Sequence, residues 1–250
     1  MRFVLYNIRY GTGSGVGYHL PLPYSGMLRP NQKNFDRITE FLRALQPDVI
    51  GLVEVDSGSF RTAQQDQAEQ LALALGYEHV YETKYARASF ARNIPVLNRQ
   101  GNAFITNQTI NAHGFHWFNE GVKRLVIELE LDDCTLYLVH LSLKYRHRQY
   151  QLNQLYKLFA RSHKPVIVAG DFNAFWGDKE LELFLAASGL VNANKAGLNT
   201  WPAENPIRQL DFVLHSPEIT VTRFDVPRVN YSDHLPIVCD FEVNKVAASA

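Results

Sequence analysis

Asp171 and Asn173 close the run Val166-Ile167-Val168-Ala169-Gly170 with a single phenylalanine between them. A carboxylate and a carboxamide set two apart at the end of an extended segment point the same way. The first can ligate a cation or hold a water, and the second can donate to an anionic oxygen. The same pattern also serves as an Asx-rich turn after a strand, so the pair alone does not decide. Asn7, Glu54, His140, Asp211, Asp233 and His234 interrupt or end other apolar stretches in the same manner. Each has a structural use open to it: His140 as a hydrogen-bonded core residue, Glu54 in a salt bridge, Asp211 capping a turn. Burying an ionised carboxylate without a partner, however, costs several kcal/mol. Four acids at strand ends are hard to place unless they share a cation or face water.

The elements that carry these residues follow from hydrophobic period. Residues 2–9 read as a buried strand with Asn7 as its polar intruder. A helix over 33–44 has Phe35, Ile38, Phe41, Leu42 and Leu45 as its apolar stripe and Pro47 as its stop. Strand 48–55 carries Glu54. A helix over 64–75 is closed by Gly76. A run of β segments then opens at 101–106 and continues through 124–131 and 136–142. Helices follow over 147–161 and 178–188, the second closed by Gly189, and strands over 210–215 and 236–243 finish the chain. Strands alternating with helices predict an α/β fold, and ligands of such folds bind at the carboxyl ends of the strands.

Residues 11–26 hold Gly11, Gly13, Gly15, Gly17 and Gly26 but match neither GxGxxG nor a P-loop. Their surroundings, Tyr18, Leu20, Leu22, Tyr24, Met27 and Leu28, are apolar for a loop, which suits either a substrate contact or simple packing.

With 250 residues, 46% of them hydrophobic, the chain can bury a large core. Lacking repeats, low-complexity tracts and linkers, it reads as one domain over 1–245 with a short tail at 246–250. The formal net charge is zero, so any polyanion-binding surface has to be local. Cys134 and Cys239 sit in apolar strand-like runs as reduced core residues, without a CxxC or mixed Cys/His metal pattern. No apolar run reaches membrane-spanning length, and Met1 leads directly into the first strand. The expectation is a cytoplasmic monomer.

Taken as an ordered set, the motifs Tyr6-Asn7-Ile8, Leu52-Val53-Glu54-Val55, Gly101-Asn102-Ala103, Val139-His140-Leu141, Gly170-Asp171-Phe172-Asn173, Leu210-Asp211-Phe212 and Ser232-Asp233-His234-Leu235-Pro236 resemble the endonuclease/exonuclease/phosphatase superfamily. The resemblance runs from the first strand to the last. It implies a four-layer α/β/β/α sandwich of two packed mixed sheets flanked by helices, and hydrolysis of a phosphoester with Mg²⁺, or Mn²⁺ as substitute. It also implies roles. Glu54 would be the principal metal ligand, with Asn7 and Asp233 close by, a sparse set of the kind Mg²⁺ accepts. Asp171 would position and deprotonate the attacking water. Asn173 would donate to a phosphoryl oxygen. His140 and His234 would face the phosphoryl group as donors or acids, and Asp211 would orient His234 and favour its protonated form. Asn102 would contact the substrate. A histidine at 140 resembles the deoxyribonuclease, sphingomyelinase and 5-phosphatase branches more than the abasic-site endonucleases.

The expected substrate is a phosphodiester, with DNA or RNA ahead of the alternatives. Two stretches without acids, 84–100 and 134–170, flank Asn102 and His140 and carry Arg92, Arg99, Lys144 and Arg146 as candidate phosphate contacts. Half of these basic residues also suit the solvated face of a helix. The alternatives are a phospholipid or sphingomyelin-type phosphodiesterase, an inositol-phosphate phosphatase and, more remotely, an inactive binding module.

Overall fold

The computed structural model describes residues 1–15, 30–84 and 96–244. The strands are β1 (Arg2–Asn7), β2 (Val49–Asp56), β3 (Glu78–Thr83), β4 (Gln100–Thr106), β5 (Ala112–Trp117), β6 (Leu125–Glu130), β7 (Thr135–His140), β8 (Val166–Asp171), β9 (Val191–Asn192), β10 (Asp211–His215), β11 (Ile219–Asp225) and β12 (Ile237–Val243). They form two six-stranded sheets, ordered β11-β12-β1-β2-β4-β3 and β5-β6-β7-β8-β10-β9. Both are mixed. β1 pairs parallel with β2, and β7 with β8, while the remaining neighbours run antiparallel.

The alternation of side chains divides each central strand between two cores. Phe3 and Leu5 of β1 meet Leu136 and Leu138 of β7, Ile167 and Ala169 of β8 and Val213 of β10 in the layer between the sheets. Val4, Tyr6 and Ile8 face the other way, against Phe35, Ile38 and Leu42 of helix α1 (Gln32–Leu45) and Leu71 of helix α2 (Gln67–Leu75). On the second sheet Tyr137, Val139, Val168 and Phe212 pack under Leu152, Leu155 and Phe159 of α3 (Tyr145–Phe159) and Leu181 and Phe184 of α4 (Asp178–Ser188). Helices, sheet, sheet and helices make four layers. No helix among the described residues is long and apolar enough to cross a membrane.

Helix α2 starts later than the sequence pattern suggests, because Ala63 and Gln64 have left-handed backbones and Asp66 caps the helix, its side chain accepting from the N–H groups of Ala68 and Glu69. β3, β9 and β11, which the hydrophobic pattern left unassigned, are edge strands, as is β5 within the predicted β run.

Candidate active site

Carrying the alternation to the strand ends places the polar residues. His140, Asp171 and Asp211 continue the inward-facing series of β7, β8 and β10, and they stand directly opposite one another in the ladders, His140 with Asp171 and Asp171 with Asp211. Three titratable side chains thus form a row across three neighbouring strands, just where the layer between the sheets opens. Asn7 arrives from the first sheet by the same rule and donates from Nδ2 to Asp171 Oδ2 at 3.0 Å.

Glu54 reaches the opening by breaking the rule. Leu52 faces the helices, so strict alternation would send Glu54 there too. Instead the pairing of β2 with β4 shifts between Leu52 and Val55, and Glu54 takes φ of 59°. The bulge re-aims the carboxylate, and Val55 resumes the helix-facing series. Asn102 Oδ1 supports the bulge by accepting from the Glu54 N–H at 3.3 Å. Gly170 performs the matching service in β8: its φ is 149°, and a Cβ there would lie 1.9 Å from the Val139 carbonyl oxygen. Only glycine allows β8 to lie so close to β7 at this level.

His234 closes the site from the loop before β12. Its Nδ1 is 2.8 Å from Asp211 Oδ2, which also accepts from Thr200 Oγ1 at 2.6 Å. Its Nε2 is 3.9 Å from Asp171 Oδ2, too far for a direct hydrogen bond. Burial pushes the His234 pKa down, but Asp211 and Asp171 outweigh it and hold the imidazole protonated up to about 10. The reverse holds at His140. Burial and then the neighbouring Lys123 lower its pKa to about 4, against Asp171 and Glu54. One histidine is a cation and the other is neutral. Asp171 itself is buried, which raises its pKa, yet His140 and His234 drive it well below the ordinary carboxylate range. Its Oδ1 accepts from the Asn173 N–H at 2.9 Å, while Asn173 Nδ2 donates to the Leu141 carbonyl and keeps one N–H free for another acceptor.

Sequence reasoning did not single out Lys123 or Thr200, named Ser232 only as part of the motif that contains His234, and counted Lys84 only as one charge in a basic stretch. Lys123 Nζ touches His140 Nε2 and lies 3.9 Å from Glu54 Oε1. That same Nε2 is 3.2 Å from Asp171 Oδ2. An imidazole nitrogen carries either a proton or a lone pair, so it can serve Lys123 or Asp171 but not both at once. Lys84 is buried, donates to Tyr10 Oη at 2.5 Å, and is lowered by that burial to about 8. Ser232 Oγ donates to the Asn7 carbonyl at 2.7 Å and so joins the loop of Asp233 and His234 to β1. Asp233 lies 3.5 Å from Arg9 Nε. No local motif announces Lys123 or Thr200; Lys123 lies in the short loop joining β5 to β6, and Thr200 in the long connection from β9 to β10.

Two groupings could hold a cation. Asp171, Asp211 and His234 present ligand atoms within 4.8 Å of one another, but His234 and Asp211 already hydrogen-bond each other, and Asp171 takes donors from Asn7 and Asn173. Glu54 is the better ligand. Its carboxylate oxygens accept no hydrogen bond among the described residues. Burial raises its pKa, while Lys123, His140 and Lys84 more than compensate and keep it ionised. Hard carboxylate and amide oxygens suit Mg²⁺ or Mn²⁺. Asn7 stands opposite Val53, next to Glu54. Of the five buried side-chain polar atoms without a hydrogen-bond partner among the described residues, Asn102 Nδ2, His140 Nδ1 and Asp211 Oδ1 belong to this site; Asn102 Nδ2 is a donor, suited to a phosphoryl oxygen and not to a cation.

The candidate phosphate contacts lie outside this cluster. Arg99, Lys144 and Arg146 are exposed and have no hydrogen bond or ion pair to it. Arg92 and the apolar set Tyr18, Leu20, Leu22, Tyr24, Met27 and Leu28 fall outside the described residues.

A model of the Endonuclease/Exonuclease/phosphatase family matches residues 4–234. Among curated proteins none matches the sequence. Solved structures share the fold. An endonuclease/exonuclease/phosphatase from Beutenbergia cavernae is 18% identical over 98% of this chain and 72% of its own, with a TM-score of 0.74. The Bacteroides thetaiotaomicron mannosyl-6-phosphatase is 15% identical over 97% and 99%, with a TM-score of 0.72. The human Nocturnin catalytic domain, which holds a sulfate anion, is 22% identical over 97% and 94%, with a TM-score of 0.67.

Proposed function

The chain belongs to the endonuclease/exonuclease/phosphatase family, whose members are phosphoester-hydrolysing enzymes, and on that premise we propose that it is a divalent-cation-dependent phosphodiesterase acting on nucleic acid. The observation that carries the reading is the row His140–Asp171–Asp211 completed by His234, with one imidazole neutral and the other charged.

The residues divide the work by their chemistry. Glu54, with Asn7 and Asp233, would hold Mg²⁺ or Mn²⁺. Bound there, the ion supplies charge neutralisation to a phosphoryl oxygen. Asp171 faces the 3.9 Å gap to His234 Nε2 with a depressed pKa. Such a carboxylate is a weak base that stays ionised and can still accept a hydrogen bond, so its first task is to orient the attacking water. His234, held cationic by Asp211, donates from Nε2 to the phosphoryl group as negative charge develops. Asn173 adds its free N–H, and His140 shapes the hydrogen bonding of Asp171. Lys123 and Lys84 bring further positive charge beside Glu54, which favours a substrate that is itself anionic. One structural neighbour holds a sulfate, a tetrahedral oxyanion like phosphate.

A panel of single-stranded DNA and RNA, a small phosphodiester, a lipid phosphodiester in vesicles and sugar phosphomonoesters, each assayed with Mg²⁺, with Mn²⁺ and with excess EDTA, tests the reading. Hydrolysis of the strands with Mg²⁺ or Mn²⁺, lost in EDTA and weakening as salt rises, is the expected result. Full turnover in EDTA, or turnover of the monoesters alone, overturns it.

A further inference from the structure

Immediately beyond Asn173 the chain makes a tight turn. Phe175 N–H reaches the Asn173 carbonyl at 3.1 Å and Gly177 N–H the Ala174 carbonyl at 2.8 Å. At its apex sits Trp176, 75% exposed. A large indole open to water three residues from the site, with no ring partner among the described residues, has no use in packing.

The turn is nevertheless held firmly. Trp176 N–H donates to Glu180 Oε1 at 2.9 Å. The other carboxylate oxygen of Glu180 takes the guanidinium of Arg148 in an ion pair whose side chains are 4% and 3% exposed. Arg148 also donates to the carbonyls of Ser142 and Leu143, the segment that follows His140. One buried pair therefore fixes the turn carrying Trp176 to the ends of the strands that carry His140 and Asp171. The indole is free, but its backbone is not, and a preorganised aromatic loses little freedom on binding.

Building on the nucleic-acid phosphodiesterase reading, we propose that Trp176 is a stacking platform for the base of a nucleotide adjoining the scissile phosphate. Cations sit on the elements that hold the turn: Lys144 and Arg146 are exposed at the start of α3, within a turn of Arg148, and Arg208 lies over the Phe175 ring at 6.0 Å. An exposed flat ring on a turn held by elements that also carry positive side chains matches a strand, whose bases alternate with phosphates.

The test uses the whole protein as wild type, Trp176→Ala and Trp176→Phe, with a mixed-sequence single-stranded oligonucleotide and the same strand carrying abasic sites around the cut. Binding is followed by fluorescence anisotropy of the labelled strand in EDTA, and cleavage by steady-state kinetics with Mg²⁺. Trp176→Ala should weaken binding and raise KM roughly five- to a hundredfold with kcat nearly unchanged, and Trp176→Phe should recover most of the loss. The abasic strand should bind all three proteins alike. An unchanged KM in Trp176→Ala, or an equal loss on the abasic strand, overturns the stacking platform while leaving the phosphodiesterase reading intact. A wild-type protein that turns over a small phosphodiester but neither binds nor cuts any strand overturns the nucleic-acid reading, and the platform with it.

Discussion

Asp211 governs the charge of His234, the residue proposed to donate to the phosphoryl group. The carboxylates of Asp211, Asp171 and Asp233 all raise the pKa of His234, against the burial that lowers it. A histidine raised to about 10 stays protonated across the neutral range, whereas an ordinary one loses its proton near 6.5. Replacing Asp211 by Asn removes the largest raising influence and keeps the shape. The Asp211→Asn variant should retain activity at about pH 5.5 to 6 and lose it progressively as pH rises through neutrality, while the wild type holds its activity. A divalent cation at Glu54 would lower His234 in both proteins and leave the sign of the difference unchanged. A pH–rate profile with and without the substitution checks this, and superimposable profiles would contradict a cationic His234. Asp211 and His234 were legible in the sequence because an acid next to an apolar strand is conspicuous. Thr200, which donates to the same Asp211 oxygen, was not, since a threonine in a loop has many ordinary uses. Lys123 was missed for a related reason. Its importance comes from a contact with His140 across 17 positions, and no local pattern encodes such a meeting.

At the scale of elements, the strands found from sequence are the central ones, and those left unassigned lie at the edges. β1, β2, β7, β8 and β10 are buried on both faces for most of their length and spell largely apolar runs. β3, β9 and β11 have one neighbour each and mix polar with apolar residues, as edge strands do to avoid further pairing. Since the site is built at the ends of central strands, its residues were readable even though the sheets' outlines were not. The bulge at Glu54 lay beyond a period-based reading, because alternation assigns that carboxylate to the wrong face. Gly170 belongs to this scale as well, for it sets the spacing of β7 and β8 and not the chemistry of a side chain. Gly170→Ala must place a methyl group against the Val139 carbonyl and accept a left-handed φ. The two costs together predict destabilisation by about 3 kcal/mol or more, visible in urea unfolding as a lower midpoint at unchanged slope. A midpoint within experimental error of wild type would show that the strands can separate freely.

The whole molecule is a sandwich whose central layer is apolar for most of its depth and charged at one open end. That end draws on both sheets: Asn7 and Glu54 come from one, His140, Asp171 and Asp211 from the other, and Asp233 and His234 from the loop entering β12. Anything that binds there ties the sheets together, so occupancy and global stability are linked. The carboxylates gathered in one opening repel each other, and His234, Lys123 and Lys84 among them offset that repulsion. A divalent ion held by the native arrangement and not by the unfolded chain should stabilise the protein by RT ln(1 + [M]/Kd), about 2.7 kcal/mol at a hundredfold excess over Kd. Mg²⁺ or Mn²⁺ should therefore raise the melting temperature of the wild type in a concentration-dependent way, with Ca²⁺ or Na⁺ at equal ionic strength as controls. Glu54→Gln keeps the side chain's shape and removes its charge, so it should abolish most of that shift. Without metal the variant should melt at or slightly below the wild-type temperature, since it gives up the attraction of Lys123, 3.9 Å away, and of His140 and Lys84, which together outweigh the cost of burial and the repulsion from Asp171. Equal metal-induced shifts in the two proteins would move the cation away from Glu54 and towards the Asp171, Asp211 and His234 group.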